Sequence, residues 1–294
     1  MAGTELTSLR SPRVVAARRL AKRAFRARER RFLAEGPQAV REALAAHAVG
    51  RDGAPSGVHD GVYEVFVTSE AATRHAEMVG EATRGGIDVY VVSGEVMSSL
   101  TQTVTPQGIV AVCAFLDSTV EEVAASAHRL VAVLAHVRDP GNAGTVIRTA
   151  DAAGADAVVL GGESVDPYNG KCVRASAGSI FHLPLAAGVP IDRAVSALKG
   201  RGLTVLAADG HGDLDLDRAI DEGRLDGPTA WLFGNEAWGL PPETRALADD
   251  VVRVPIHGAA ESLNLATAAA VCLYASARAQ RSAVRRASIA GVPL

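Results

Sequence analysis

Only three cysteines occur in 294 residues, Cys113, Cys172 and Cys272, with no C-x-x-C and no even framework. That excludes a disulfide scaffold and a paired-thiol redox centre, and it fits a reducing interior. No uninterrupted apolar run reaches the roughly 20 residues of a membrane span. Arg10 and Arg13 have no apolar core behind them, so no secretory leader is read and the expected location is cytoplasmic. No G-x-G-x-x-G follows a strand-like run, and Gly170-Lys171 lacks the upstream glycine of a phosphate loop. His136, His182, His211 and His257 never fall at zinc-ligand spacing, so no metal is expected. Asp213, Asp215 and Asp217 alternate without making a calcium loop and read as a solvated acidic loop.

What is present is ordinary in bulk and uneven in detail. Hydrophobic content of 48% with 21% charged residues is that of a globular protein, and the length suits two domains. The net charge of −3 hides an asymmetry. Arg10 to Arg31 holds ten basic residues against one acid, Glu29, a local balance of +9 that leaves −12 for the rest. A positive stripe on an acidic protein is expected where one part meets phosphates. Val14, Ala17, Leu20, Ala21 and Phe25 among the arginines predict a helix with one buried and one basic side. Arg10, Arg13, Arg18, Arg19, Lys22, Arg23 and Arg26 are therefore candidate contacts to a phosphate-bearing partner such as a nucleic acid.

The first half predicts a small α/β unit: helix over 13–48 broken near Glu35-Gly36-Pro37, a loop over 51–61, and strands at 62–68, 88–92 and 108–115. The second half alternates more regularly. Strand-like runs at 130–137, 157–160, 203–208, 229–233 and 251–256 are separated by helical patterns at 143–153, 169–180, 191–199, 242–248 and 262–279. Such alternation implies a parallel sheet covered on both faces, with ligands bound beyond the carboxyl ends of its strands. The tail over 282–294 has no predicted placement.

Three polar turns occupy that position. After Val131–Val137 comes Asp139-Pro140-Gly141-Asn142, where Asn142 is suited to cap a helix. Arg148 follows one turn beyond Gly144, which leaves its guanidinium uncovered and able to lean toward the helix mouth. After Trp231-Leu232-Phe233 comes Gly234-Asn235-Glu236-Ala237-Trp238-Gly239-Leu240, an acid confined between glycines. After Val254-Pro255-Ile256 comes Ser262-Leu263-Asn264, where Ser262 is a candidate N-cap and the free amides suit a carboxylate or phosphate.

These three runs, with Ser176-Ala177-Gly178, resemble the motifs of the SpoU (TrmH-like) RNA ribose 2′-O-methyltransferases of the SPOUT superfamily over about 130–280. The resemblance implies an α/β parallel-sheet domain with a deep C-terminal trefoil knot, S-adenosylmethionine as cofactor and a homodimer with sites at the subunit interface. It assigns Arg148 to the substrate hydroxyl or its neighbouring phosphate, Asn142 and Glu236 to positioning it, and Ser262 and Asn264 to backbone phosphate or cofactor. Gly234, Asn235, Gly239, Val254, Ile256 and Leu263 are the implied cofactor contacts; Ile256 stands where methionine is commoner. The N-terminal half resembles, less closely, the family's ribosomal-protein-like RNA-binding domain. The expected division is an RNA-binding domain over 1–117, a linker over 118–129, a catalytic domain over 130–281 and a tail. The expected substrate is structured RNA, foremost 23S ribosomal RNA in housekeeping or antibiotic resistance. Transfer RNA, methylation of a base nitrogen, a non-catalytic RNA-binding protein and a nucleotide-dependent metabolic enzyme stand as alternatives.

Overall fold

The computed structural model describes residues 5–53, 61–125 and 128–289. Residues 54–60 of the expected loop, part of the expected linker (126–127) and the end of the tail (290–294) lie outside the described residues. The chain forms two compact units, residues 1–116 with 168–182, and residues 117–167 with 183–294.

The first unit is a four-stranded sheet of β1 (Arg31–Glu35), β2 (Val62–Val67), β3 (Asp88–Val91) and β4 (Ile109–Ala114), in the order β1-β4-β2-β3. β4 runs antiparallel to β1 and β2, and β3 lies parallel to β2. The expected long N-terminal helix is two short ones, Pro12–Arg19 and Arg23–Glu29, followed by strand β1. Arg30 in the left-handed region (φ 53°) stops the second helix. Residues 31–35 then bury alternate side chains, and this period-two pattern pairs with β4. The next helix, Pro37–Gly53, runs into the expected loop. Val14, Ala17 and Leu20 pack on Phe66, Val92, Met97, Val110 and Val112.

Arg26 corrects the expectation of a free basic side. It is 3% exposed, and its Nη1 donates to the carbonyls of Leu20 and Ala21, each at 2.9 Å, closing the end of the preceding helix. Arg10, Arg18, Arg19, Lys22 and Arg23 are exposed, whereas Arg13 faces Glu64 and Asp88 at 3.5 and 3.9 Å. Burial raises the Glu64 carboxyl above its ordinary range despite this arginine.

Residues 168–182 fold with this unit. Tyr168 stacks on Phe115 at 3.9 Å between centroids, and its hydroxyl accepts from the Leu116 amide at 2.7 Å. Arg174 donates to Glu35 at 2.9 Å, and Glu35 also accepts from the Gln102 amide at 3.2 Å. Instead of one helix over 169–180, Gly170–Ser176 ends at Ala177 and Gly178, both at positive φ. A Cβ on Gly178 would lie 2.4 Å from the Glu42 side chain, so that turn needs glycine.

The second unit is a parallel sheet of β5 (Leu130–Ala135), β6 (Ala157–Gly161), β7 (Leu185–Val189), β8 (Thr204–Ala208), β9 (Leu214–Asp215), β10 (Thr229–Phe233) and β11 (Asp250–Arg253). The order is β7-β6-β5-β10-β8-β11-β9. β5, β6 and β10 are buried at every residue, as strands covered on both faces require. β7, β9 and the helix Leu216–Asp221 were not predicted. The expected acidic loop is a cap: Asp215 accepts from the Asp217 amide at 2.9 Å and opens that helix. The last helix, Leu265–Ile289, starts later than expected and takes in most of the tail. It packs beside Pro140–Ala153, and buried Trp231 donates to its Ser276 at 2.8 Å. All three cysteines are buried, and burial pushes the Cys272 thiol up to about 12.

Tyr168→Ala removes a buried ring and a hydrogen bond from the first unit. It is expected to cost about 3–5 kcal/mol, read as a lower urea midpoint for the transition that reports this unit.

Candidate functional site

The polar turns follow β5, β10 and β11, and parallel pairing puts the carboxyl ends of these strands on one sheet edge. Beyond β5, Asp139 and not Asn142 caps the helix Pro140–Ala153: its Oδ1 accepts from the Asn142 amide at 2.8 Å. Pro140 takes the first helical position, where its missing N–H costs nothing. The Asn142 side chain is thereby left for the other turns.

Beyond β10, a Cβ on Gly234 would sit 2.4 Å from the backbone carbon of Gly239, so only glycine fits. Asn235 and Gly239 exchange two backbone hydrogen bonds of 2.9 Å, with Gly239 at φ 69°. Asn235 is buried; its Nδ2 donates to the His136 carbonyl at 2.8 Å and its Oδ1 accepts from the Ala237 amide at 2.9 Å. That side chain ties the second turn to the end of the first. Glu236 is exposed at the tip.

Strand β11 stops at Arg253, so Val254, Pro255 and Ile256 belong to the loop. Val254 and Leu263 are half-buried, and Ile256 is exposed. Asn264, not Ser262, caps the last helix: its Oδ1 accepts from the amides of Ala266 at 2.9 Å and Thr267 at 3.4 Å.

Two side-chain hydrogen bonds join the three turns. Asn264 Nδ2 donates to Asn142 Oδ1 at 3.1 Å, and Asn142 Nδ2 donates to Glu236 Oε1 at 3.0 Å. The direction is forced. The cap takes the Asn264 oxygen, so its nitrogen must donate; the Asn142 oxygen must then accept, and its nitrogen faces a carboxylate. Glu236 keeps a second oxygen with no bond among the described residues.

Arg148 and Ser262 do not enter this network. Both are exposed, and neither has a hydrogen-bond or ion-pair partner among the described residues. Gly144, expected to uncover Arg148, is buried, so the arginine rises from the exposed side of its helix beside Thr145. The sequence reading did not include Asp209, at the end of β8 between β10 and β11. Its side chain is 8% exposed, and it accepts from the His211 amide at 2.9 Å. A Cβ on Gly239 would lie 3.7 Å from its Oδ2. Its position directly after Ala207-Ala208 was the available signal. Arg138 also was not singled out: it lies over the exposed Trp238 ring at 5.1 Å and donates to Glu163 at 2.7 Å.

Residues 129–274 match the model of the SpoU rRNA Methylase family, and residues 11–111 match that of the MRM3-like substrate binding domain. The chain is 35% identical over 270 residues to the 23S rRNA (guanosine(2553)-2′-O)-methyltransferase RlmP of Bacillus subtilis, covering 92% of this chain and 98% of that protein. It is similar to the AdoMet-bound rRNA methyltransferase of Sinorhizobium meliloti, with 31% identity and a TM-score of 0.77 over 93% and 97% of the two chains. It is also similar to the SpoU methyltransferase AviRb of Streptomyces viridochromogenes in complex with AdoMet, with 28% identity and a TM-score of 0.75 over 93% and 99%.

Asn142→Ala cuts both links of the network while sparing the Asp139 cap. It is expected to slow the reaction of this site roughly 10²-fold with little change in melting temperature. Asn264→Ala is expected to do the same and to cost about 1 kcal/mol more through the lost helix cap, read by chemical denaturation.

Proposed function

The chain belongs to the SpoU rRNA methylase family, and we propose that it transfers a methyl group from S-adenosylmethionine to a ribose 2′-hydroxyl of 23S ribosomal RNA. The observation that carries this reading is the Asn264–Asn142–Glu236 chain, which joins the turns beyond three strands into one site. The 23S rRNA 2′-O-methyltransferase from Bacillus subtilis, similar over nearly its whole length, supports the substrate class.

The residues fit the cofactor. The bare backbone at Gly234 and Gly239 lets a ligand approach closely, and Val254, Ile256 and Leu263 offer apolar surface for an adenosyl group. Among the described residues, Ile256 and Leu263 make no hydrogen bond, which leaves their backbone groups for its polar edges. Asn235 contributes through the turn it braces, since its side chain is committed to His136 and Ala237. When bound, S-adenosylmethionine supplies a methyl group on a sulfonium, an electrophile that needs only an oriented oxygen.

The protein's part is to orient that oxygen. Arg148 holds the 2′-hydroxyl or its neighbouring phosphate and stabilises charge developing on the oxygen. A guanidinium carries no acceptor lone pair at neutral pH, so the proton leaves to phosphate or water. Asn142 and the free oxygen of Glu236 fix the sugar, and Ser262 and Asn264 meet backbone phosphate or the cofactor. Orientation of this kind is worth roughly 7–11 kcal/mol. The first unit, 1–116 with 168–182, holds the RNA, and the remainder of 130–281 performs the transfer.

Arg148 stands outside the network of one chain, which supports a homodimer whose site a second copy completes. Val271 and Tyr274 are 39% and 51% exposed on the last helix, and the Tyr274 hydroxyl donates to the Ala152 carbonyl on the Arg148 helix at 3.3 Å. These exposed apolar residues, on the helix that packs against the one bearing Arg148, suit a self-complementary contact. The position of β10 between β5 and β8 agrees with the family's trefoil knot. The site of action is the cytoplasm, where ribosomal RNA is matured.

Arg148→Ala is expected to lower single-turnover methylation by at least about 10³-fold while calorimetry shows unchanged S-adenosylmethionine binding; retained transfer would remove Arg148 from the mechanism. Mass-spectrometric mapping of 23S rRNA after incubation with labelled cofactor is expected to find one 2′-O-methylated nucleotide, and label on a base nitrogen would overturn the reading. A Val271→Glu, Tyr274→Glu variant is expected to be a folded monomer by light scattering and inactive.

A further inference from the structure

Among the described residues, the first unit carries five of the six arginine–aromatic contacts, and three sets of them lie about the helix Pro12–Arg19 and the sheet face it covers. The guanidinium carbons of Arg19 and Arg28 lie over the Phe25 ring at 5.5 and 4.9 Å. Arg31 lies over Tyr63 at 3.7 Å, and Arg13 lies over Tyr90 at 4.6 Å. Leu33, Tyr63 and Tyr90 all pack against the cluster containing Val14, Ala17 and Leu20. Arg31 shares a strand face with Leu33, two residues on. The helix Pro12–Arg19, Arg31, Tyr63 and Tyr90 therefore belong to one side of the sheet, and the contact of Arg19 with Phe25 joins the second helix to the first. Arg13 is engaged by Glu64 and Asp88, but Arg19 is exposed with no carboxylate partner among the described residues, and Arg28 has only its neighbour Glu29 at 2.7 Å.

Simple attraction to phosphate does not require this arrangement. A guanidinium held over a ring has lost much of its rotamer freedom before any ligand arrives. It is also weakly hydrated and planar, so one face can rest on the ring while the other is free for a second flat group, and its in-plane N–H groups still reach phosphate. A lysine at the same place carries the same charge and has no plane. The flat groups of RNA are accessible only where bases are unstacked, in loops, bulges and ends.

We propose that this face binds single-stranded RNA by stacking nucleobases on the guanidinium groups of Arg19 and Arg28, which meet at Phe25, and of Arg31, which lies over Tyr63. This rests on the reading of the protein as an RNA methyltransferase, and it specifies looped, unpaired RNA as what the first unit recognises. Arg10, Arg18, Lys22 and Arg23 add the sequence-independent attraction to phosphate around it.

The test is equilibrium binding of the full chain to a fluorescent mixed-sequence single-stranded oligoribonucleotide and to the blunt duplex formed from it. The Arg19→Lys, Arg28→Lys, Arg31→Lys variant preserves every charge. It is expected to lose about tenfold or more in affinity for the single strand, with its salt slope and its duplex binding unchanged. Phe25→Leu leaves the arginines but removes the ring beneath two of them, and it is expected to weaken single-strand binding by a few-fold; circular dichroism and melting temperature establish that both variants are folded. Wild-type affinity in the lysine variant, or an equal loss for duplex and single strand, overturns the stacking proposal and leaves the methyltransferase reading standing. A wild-type protein that binds neither probe overturns the assignment of RNA to this unit altogether. Methylation of 23S rRNA, measured separately, decides the enzymatic reading.

Discussion

The site depends on the N-terminus of the last helix. Its first amides need an acceptor, and Asn264 supplies the side-chain oxygen. Once that oxygen is taken, the hydrogen-bond direction of everything downstream is fixed: Asn264 donates, Asn142 accepts and donates, and Glu236 accepts. The Asn142 amide, which could otherwise flip, is held in one orientation by the helix cap that orients Asn264. The cost of orienting the polar groups is met during folding, so little reorganisation is left for the reaction. A carboxylate at the end of such a chain keeps one oxygen for a ligand, because the other is already engaged.

The parallel sheet makes this contact possible and the glycines make it tight. β5 and β10 are hydrogen-bonded neighbours, while β8 intervenes before β11. Parallel order brings all their carboxyl ends to one edge, where helices begin and polar turns gather. The Gly234–Gly239 approach then folds the second turn back on itself, and Asn235 clamps it to His136. His136 has a positive φ of 58°, an unusual state for a residue with a side chain. Its carbonyl is the acceptor for Asn235, so this strained residue sits where two of the three turns are fastened together.

Much of this was legible in the sequence, for identifiable reasons. Strands buried on both faces leave continuous apolar runs, and the run over 229–233 has the same limits in sequence and structure. The three polar turns were visible because they interrupt such runs with residues that neither strand nor helix interior favours. Cap identities were not legible. Asp139 and Asn142 are both good caps, as are Ser262 and Asn264, and only backbone geometry decides which side chain faces the free amides. Short strands were missed where composition favoured helix, as at Arg31–Glu35, or where two residues suffice, as at Leu214–Asp215. Arg26 was misplaced because a run of arginines carries no mark of the one that turns inward to satisfy carbonyls.

That inward arginine and the outward ones around it follow a common physical logic. A guanidinium has five donors in a plane and a low cost of leaving water, so it can close a helix end, cover an aromatic ring or pair with a carboxylate. Arg26 does the first, Arg19, Arg28 and Arg31 the second, and Arg174 the third, with Glu35. Lysine could replace few of these, and it is rare here: between Arg10 and Arg31 only Lys22 is not an arginine among the ten basic residues. If the stripe served only to add positive charge, either residue would do. Lysine is equally scarce elsewhere, where only Lys171 and Lys199 stand beside 18 arginines, so what distinguishes the stripe is the rings its arginines cover and not the ratio.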